Sequence, residues 1–205
     1  LRARSLPWER WRACYADGTE AYHIPLAEVA PAAGIRIRWS DLYEIARKTG
    51  GDYVRYNSYI HGAEYDQSLD KVTAHIRNSR TGEDGSITVD LLIAADGRYS
   101  AIRESLAGAP SPRHLGVSNF RCLLEPGTVP AVNDMDQWYQ GPHRIIAFQV
   151  ADGRIYVSGN LPITPGTDVP ASYKDRAYLR KIYRGGGVLA ETFAAPSGAR
   201  STVSG

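Results

Sequence analysis

The sequence predicts a mixed fold of the α+β or α/β class, with a β-sheet in its second half. Three observations support this class: short runs alternate apolar and polar residues, two segments have helical periodicity, and the continuously apolar run 91–95 leads into an Asp-Gly turn. The chain has 205 residues, of which 43% are hydrophobic, and this is enough material for one domain or two small ones.

Composition excludes several classes of partner. Lys and Arg number 24 against 22 acidic residues, so the net charge of +2 predicts neither a nucleic-acid nor a membrane partner. Cys14 and Cys122 lack the spacing of a metal site or a disulfide framework, which fits a reducing cytoplasm. The chain contains no apolar run of membrane-spanning length, and no apolar segment of the signal-peptide type follows its basic start.

The first elements are a β-hairpin and a helix. Residues 10–16 and 19–26 alternate as strands do, and Asp17-Gly18 between them is a strong hairpin signal. Helical periodicity then predicts a helix over about residues 40–49, which Gly50-Gly51 would end.

A β-meander and a second sheet follow. The meander has strand-like runs at 53–66, 71–79 and 87–96, and its last part, the apolar run, is expected to be a strand buried on both faces. Further strands are predicted at 117–124, 144–150 and 154–161. A helix is expected at about 172–184, with Ser172 as N-cap and Gly185 to Gly187 as its stop.

The most informative segment runs from residue 91 to residue 108. The apolar run ends at Asp96 and Gly97, Ser100 can cap a helix over about 101–107, and Gly108 would end it. A carboxylate at the carboxyl end of a sheet strand lies where open α/β sheets bind ligands, and a glycine there allows close approach. This pattern suits an anionic or ribose-bearing cofactor, although an Ala-Asp-Gly turn is also common in proteins without one.

Asp96, Gly97, Ser100 and Arg103 match, position for position, the second fingerprint of the flavoprotein monooxygenases, the single-component aromatic hydroxylases. The chain resembles this family from residue 9 to about 124. The resemblance implies part of an FAD-binding, glutathione-reductase-like domain over 1–112, and part of a substrate domain built on a mixed or antiparallel β-sheet over 113–205. It assigns binding of FAD and NAD(P)H to Asp96, Gly97 and Arg103, although Arg103 could simply be a solvated helix residue.

A second likeness lies at the predicted helix. Residues 38–42, RWSDL, resemble the HRADL helix of the family, with Trp39 replacing an arginine that many members use against the flavin. We interpret Trp39 first as an ordinary core aromatic. A cofactor-binding residue, as its place in this helix implies by resemblance, is the second interpretation. Tryptophan here, together with FRCLLEPGTVP at 120–130, is similar to the dihydroxypyridine hydroxylase branch.

The substrate residues are expected on the second sheet. Alternation in 144–150 places Gln149 on the face of Ile145 and Ala147, where a polar residue could orient a ring substituent. Tyr139 and Tyr156 could donate phenolic hydrogen bonds, although most tyrosines only pack. None of the histidines has a nucleophile or carboxylate at a spacing that indicates catalysis or metal binding, so no side chain is assigned a catalytic role.

The resemblance implies a monooxygenase that uses FAD and NAD(P)H to hydroxylate a small aromatic or N-heteroaromatic substrate. The GxGxxG turn that anchors FAD in the family does not occur in these 205 residues. We therefore expect the chain to be a middle fragment, inactive alone, of an enzyme that could be a homodimer. A non-catalytic small-molecule-binding relic of the fold and a flavoprotein that dehydrogenates or halogenates stay open as alternatives.

Overall fold

A computed structural model of the chain describes residues 1–108, 113–127, 132, 134–183 and the backbone of 201–204. The chain divides into two compact units. We call Leu1–Ala46 with His114–Gly205 the sheet unit, and Arg47–Arg113 the meander unit. One boundary between the units, at 113/114, lies beside the domain boundary at 112/113 that the sequence predicted. The predicted boundary separated a cofactor-binding part from a substrate-binding part, and that division of roles stays a prediction.

The sheet unit contains nine strands and three helices among its described residues. The strands are β1 (Ser5–Trp8), β2 (Arg10–Tyr15), β3 (Glu20–Pro25), β4 (Gly34–Ile37), β8 (Val117–Leu124), β9 (Met135–Gln140), β10 (His143–Gln149), β11 (Ile155–Pro162) and β12 (Ser201–Ser204). The helices are α1 (Leu26–Val29), α2 (Trp39–Gly50), whose last turn belongs to the other unit, and α4 (Arg176–Ile182).

Seven of these strands form one sheet in the order β12-β8-β11-β10-β9-β2-β3. All neighbours are antiparallel except β2 and β9, which run parallel. The sequence predicted a mixed or antiparallel sheet, and the sheet is mixed. The predicted hairpin forms β2 and β3, with Gly18 at φ +91° in its turn. The short strands β1 and β4 pair separately.

One face of the sheet builds the core. Alternate residues of β8, β10 and β11 pack there against α4; the most buried are Phe120, Leu124, Ile145, Ala147, Val157, Leu161, Leu179 and Tyr183. Gly159 lies on this face as well. Only glycine fits there, because a Cβ atom at its position would come within 2.3 Å of the Phe120 ring. The opposite face of the same strands is therefore the one that can receive a ligand.

The meander unit consists of β5 (Ser58–Asp66), β6 (Lys71–Asn78), β7 (Asp84–Val89) and α3 (Ala101–Ala107). The three strands pair antiparallel in chain order, which confirms the predicted meander. Helix α3 packs on β5, where the Ser105 hydroxyl accepts a hydrogen bond from the Ala63 amide at 2.9 Å. The core here is small and centres on Ala63, Ala74 and Ile102.

The buried strand predicted to end at Asp96 is absent from the described structure, so this prediction is wrong. Strand β7 ends at Val89, and residues 91–97 pair with no described strand. Leu91 and Ile93 are 74% and 77% exposed. An apolar run becomes a strand buried on both faces only where neighbouring strands and both covering layers are in place. Among the described residues, no strand pairs with this run, and its side chains at Leu91 and Ile93 stay exposed.

The predicted helix at 172–184 is also corrected. A 3₁₀ turn, Ala171–Lys174, comes first, and α4 then begins after Asp175, whose carboxylate accepts from the Ala177 amide at 2.8 Å. Asp175 rather than Ser172 is thus the N-cap, and the glycines expected to stop the helix lie outside the described residues. No helix in the described part of the chain has the length and apolar character needed to cross a membrane.

Candidate functional site

An aromatic cavity of about 560 Å³ opens on the ligand-accessible face of the sheet unit. The corner between β4 and α2, residues 37–40, forms one wall. Strands β8, β10 and β11 form the other with Arg121, Cys122, Leu123, Phe148, Val150 and Tyr156. This volume lies within the range of pockets that bind small molecules.

The floor of the cavity is the pair of rings from β10 and β11. Phe148 and Tyr156 are directly opposite in the strand register, and their ring centroids are 4.9 Å apart. Because side chains alternate along a strand, both rings point away from the core residues Ile145 and Ala147. Tyr156, predicted from the sequence as a substrate residue, therefore lines the cavity.

Trp39 forms part of the opposite wall. It is the first residue of α2, and 81% of it is exposed, so its interpretation as a core aromatic is wrong. Exposure of an indole ring to water is unfavourable, because its large apolar surface stays hydrated. A flat ligand can cover that surface. The structure thus brings Trp39, predicted to touch the cofactor, and Tyr156 into one cavity.

Arg38 fixes the corner that carries Trp39. Its guanidinium binds both carboxylate oxygens of Asp41, at 2.6 and 3.2 Å, and a third hydrogen bond of 2.8 Å reaches Asp152 in the turn between β10 and β11. Asp41 is buried, and its hydrogen bonds from Arg38 hold the pKa of its carboxyl below the ordinary value.

Tyr139 and Gln149 do not line the aromatic cavity. Gln149 lies on the core-facing side of β10, near the turn at Gly153. The Tyr139 hydroxyl accepts a 3.1 Å hydrogen bond from the carboxamide of Gln137, which also donates to the hydroxyl of Tyr22. The substrate roles of Tyr139 and Gln149 stay predictions.

Gln137 was missed by the sequence analysis. It is fully buried, and its Oε1 has no hydrogen-bond partner among the described residues. Burial and the hydrogen bond with Tyr139 raise the pKa of Tyr22 in the same cluster. A buried glutamine between two tyrosines cannot be recognised from strand alternation, because one of its partners, Tyr22, comes from a distant hairpin.

The Asp-Gly turn lies in the meander unit. Gly97 has φ +79°, a conformation that favours glycine, and Ser100 caps α3 by accepting from the Arg103 amide at 3.0 Å, as predicted. The carboxylate of Asp96 accepts a long, 3.4 Å bond from the Ile102 amide, and hydrogen bonding with Ser100 lowers its pKa. Asp96 therefore helps to hold the start of α3.

A cavity of about 380 Å³ adjoins this turn. Its lining is Ser58, Tyr59, Ile60, Ile93, Ala95, Asp96, Tyr99, Ala101 and Ile102. Arg103 is absent from this lining; its guanidinium instead donates to the carbonyl of Arg98 at 2.6 Å and so closes the turn. The cofactor roles of Asp96, Gly97 and Arg103 stay predictions, and among the described residues no cluster of His, Cys, Asp or Glu could hold a metal ion.

Comparisons with known proteins identify the family of the chain. The family model described as FAD binding domain matches residues 39–166, more than half of the chain. An FAD-dependent urate hydroxylase of Klebsiella oxytoca is 34% identical over 100 residues, which are 47% of this chain and 25% of that protein.

Solved structures show the same fold. Klebsiella pneumoniae HpxO, complexed with FAD and uric acid, has a TM-score of 0.75 at 21% identity over 98% of this chain. The p-nitrophenol 4-monooxygenase PnpA of Pseudomonas putida DLL-E4 has a TM-score of 0.72 at 13% identity over the whole chain. The chain spans 52% and 51% of these two proteins.

Proposed function

Since the chain belongs to the FAD binding domain family, we propose that the protein containing it is an FAD-dependent, NAD(P)H-using monooxygenase that hydroxylates a small aromatic or N-heteroaromatic compound. The observation that carries the proposal is the cavity that Trp39 lines together with the ring pair of Phe148 and Tyr156. Flat conjugated rings are the ligands that such a lining favours, because stacking on aromatic faces adds to the burial of apolar area.

The described residues that line this cavity fit the ring part of the cofactor or of a substrate, and they include no glycine-rich turn of the kind that holds a pyrophosphate. The cavity lining is apolar and aromatic apart from Arg38, Ser40 and Arg121. The GxGxxG turn that neutralises a dinucleotide pyrophosphate is not found in the 205 residues. We therefore propose that this chain alone holds FAD weakly and does not catalyse hydroxylation.

In the proposed enzyme FAD, when bound, supplies the oxygen-activating redox chemistry. The chain's own contribution is to orient rings. Trp39 covers one face of a ring, while Phe148 and Val150 exclude water from the other side. The phenolic hydroxyl of Tyr156 can donate a hydrogen bond to a polar substituent and so fix which ring carbon is presented.

The substrate class is proposed from chemistry and from relatives. HpxO is complexed with uric acid, an N-heteroaromatic compound, and PnpA is a p-nitrophenol monooxygenase. Both compounds are therefore suitable first probes for the protein that contains this chain. A cytoplasmic location also belongs to the proposal, supported by the two cysteines being free thiols.

The proposal is tested on the complete natural protein that carries these residues. Flavin content is read from its absorbance spectrum, NAD(P)H oxidation is followed with each probe, and oxygen insertion into the product is measured by mass spectrometry. Flavin, probe-stimulated oxidation and an added oxygen atom are expected. A flavin-free protein that still binds a probe would support the non-catalytic relic. Oxidation without oxygen insertion would indicate another flavin chemistry.

A further inference from the structure

Arg38 is a shared wall between two cavities of the sheet unit. On one side lies the aromatic cavity. On the other lies a charged cleft of about 400 Å³, whose polar lining includes Arg4, Asp41, Glu44 and Asp152. The position of this one guanidinium therefore affects the shape of the aromatic cavity directly.

Asp152 is well placed to hold Arg38. It lies in the tight turn that joins β10 to β11, in which the Val150 amide donates to the Arg154 carbonyl at 2.9 Å and the Gly153 amide donates to Val150 at 3.0 Å. The Asp152 carboxylate accepts from the Arg154 amide at 3.2 Å, and the Arg154 guanidinium lies 3.5 Å away. These contacts orient the carboxylate before Arg38 binds to it.

The Arg38–Asp152 pair joins the two walls of the cavity. Arg38 immediately precedes Trp39, whereas Asp152 lies in the turn three residues beyond the end of the strand that carries Phe148. The 2.8 Å bond between Arg38 and Asp152 thus connects the β4–α2 corner, which carries Trp39, to the turn between β10 and β11, the strands that carry the aromatic floor. A change in this bond alters the distance between the rings that would enclose a ligand.

We propose that Asp152 is a positioning residue, which acts through Arg38 to hold Trp39 over the floor formed by Phe148 and Tyr156. This inference rests on the proposed function, because it assigns the cavity to an aromatic ligand. Asp152 touches no reacting atom in this account. It sets how well the cavity is formed before the ligand arrives, and preorganisation of this kind increases affinity.

A purely structural role would give a different result. The side chains of Arg38 and Asp152 are 29% and 36% exposed, and ion pairs with such exposure contribute little to stability. In Asp152→Asn, Arg38 keeps both bonds to the carboxylate of Asp41, so the start of α2 should stay folded. The variant should therefore change ligand binding while the melting temperature stays the same.

The test compares Asp152→Asn with Asp152→Glu and with the control Asp84→Asn in the complete flavin-loaded protein. Asp84 forms an exposed ion pair of the same kind with Arg77, 2.7 Å long and remote in sequence from the cavity residues. For uric acid or p-nitrophenol, whichever the parent turns over, Asp152→Asn should raise KM about fivefold with kcat nearly unchanged. Asp152→Glu should restore most of the loss, and Asp84→Asn should behave as the parent does.

A second readout does not depend on turnover. The fluorescence anisotropy of Trp39 is isolated as the difference between each protein and its Trp39→Phe counterpart, and it should fall in Asp152→Asn but not in Asp84→Asn. The proposal would be overturned if Asp152→Asn kept the KM and the anisotropy of the parent. It would also be overturned if the anisotropy changed while KM stayed at the parental value, or if KM rose together with a loss of melting temperature. A parent inactive with every probe would refute the proposed function, while the anisotropy would still decide whether Asp152 holds Trp39.

Discussion

Replacing Trp39 by alanine should separate ligand binding from stability. Because 81% of Trp39 is exposed, its removal should change the free energy of unfolding by less than about 0.5 kcal/mol. A flat ligand that covers one face of the indole would bury roughly 80 Å² of apolar surface, which at about 25 cal/mol/Å² corresponds to about 2 kcal/mol. The loss of affinity for the ligand should therefore be about thirtyfold.

The assay for Trp39 is the KM of the natural protein for an aromatic substrate, measured beside its melting temperature. Trp39→Phe keeps a ring in the cavity wall and should lose less affinity than Trp39→Ala. Tyr53→Ala is the matched control, because Tyr53 is 97% exposed and does not line the cavity. An unchanged KM in Trp39→Ala would refute the assignment of this wall to a ring ligand.

Three further predictions concern the scaffold and the turn. Gly159→Ala should destabilise the chain by about 1–3 kcal/mol in urea unfolding, because the added Cβ collides with a core ring; Gly85→Ala, where the Cβ meets open space, should not. Hydrogen bonds lower the folded-state pKa of Asp41, so its stabilisation is present above about pH 4 and disappears as the pH falls through the lower folded-state value. Asp41→Asn should accordingly lower the midpoint of urea unfolding at pH 7 much more than at about pH 2. Asp96→Ala should change folding stability only slightly, because its carboxylate is exposed and its bond to the Ile102 amide of α3 is long. It should weaken FAD or NAD(P)H use in the complete protein far more; a catalytic efficiency equal to the parent's would remove that role.

The parts of the fold that local signals determine were predictable from the sequence. Asp17-Gly18 formed the hairpin turn, Ser100 capped α3, and the alternating runs became β8, β10 and β11. In each case the residues that decide the structure lie within a few positions of one another. Their physical preferences therefore appear directly in the sequence.

Long-range pairing explains what the sequence analysis missed. Strand β9 was not predicted because Asp136 and Gln137 are polar yet buried in the middle of the sheet. Their partners come from the distant hairpin: the Arg12 guanidinium binds both Asp136 oxygens, at 3.0 and 2.7 Å, and Tyr22 binds Gln137. Polar residues satisfied in this way interrupt the alternation that would have indicated a strand.

The candidate site was predictable only in part. Trp39 and Tyr156 were both named from the sequence, but more than a hundred residues separate them, and only the folded sheet brings them to one cavity. Alternation in β10 defined two faces, both largely apolar, and could not tell which one α4 covers. The packing of α4 on the face of Ile145 leaves Phe148 free to form the cavity floor.

Flavin binding is decided by the absorbance spectrum of the complete natural protein, recorded before and after anaerobic addition of NAD(P)H with an aromatic probe. Membership of the FAD binding domain family and the aromatic cavity predict a bound flavin whose visible absorbance bleaches on reduction and returns with air, together with a hydroxylated probe. A complete protein that purifies without flavin and takes up none on titration with FAD would contradict the account.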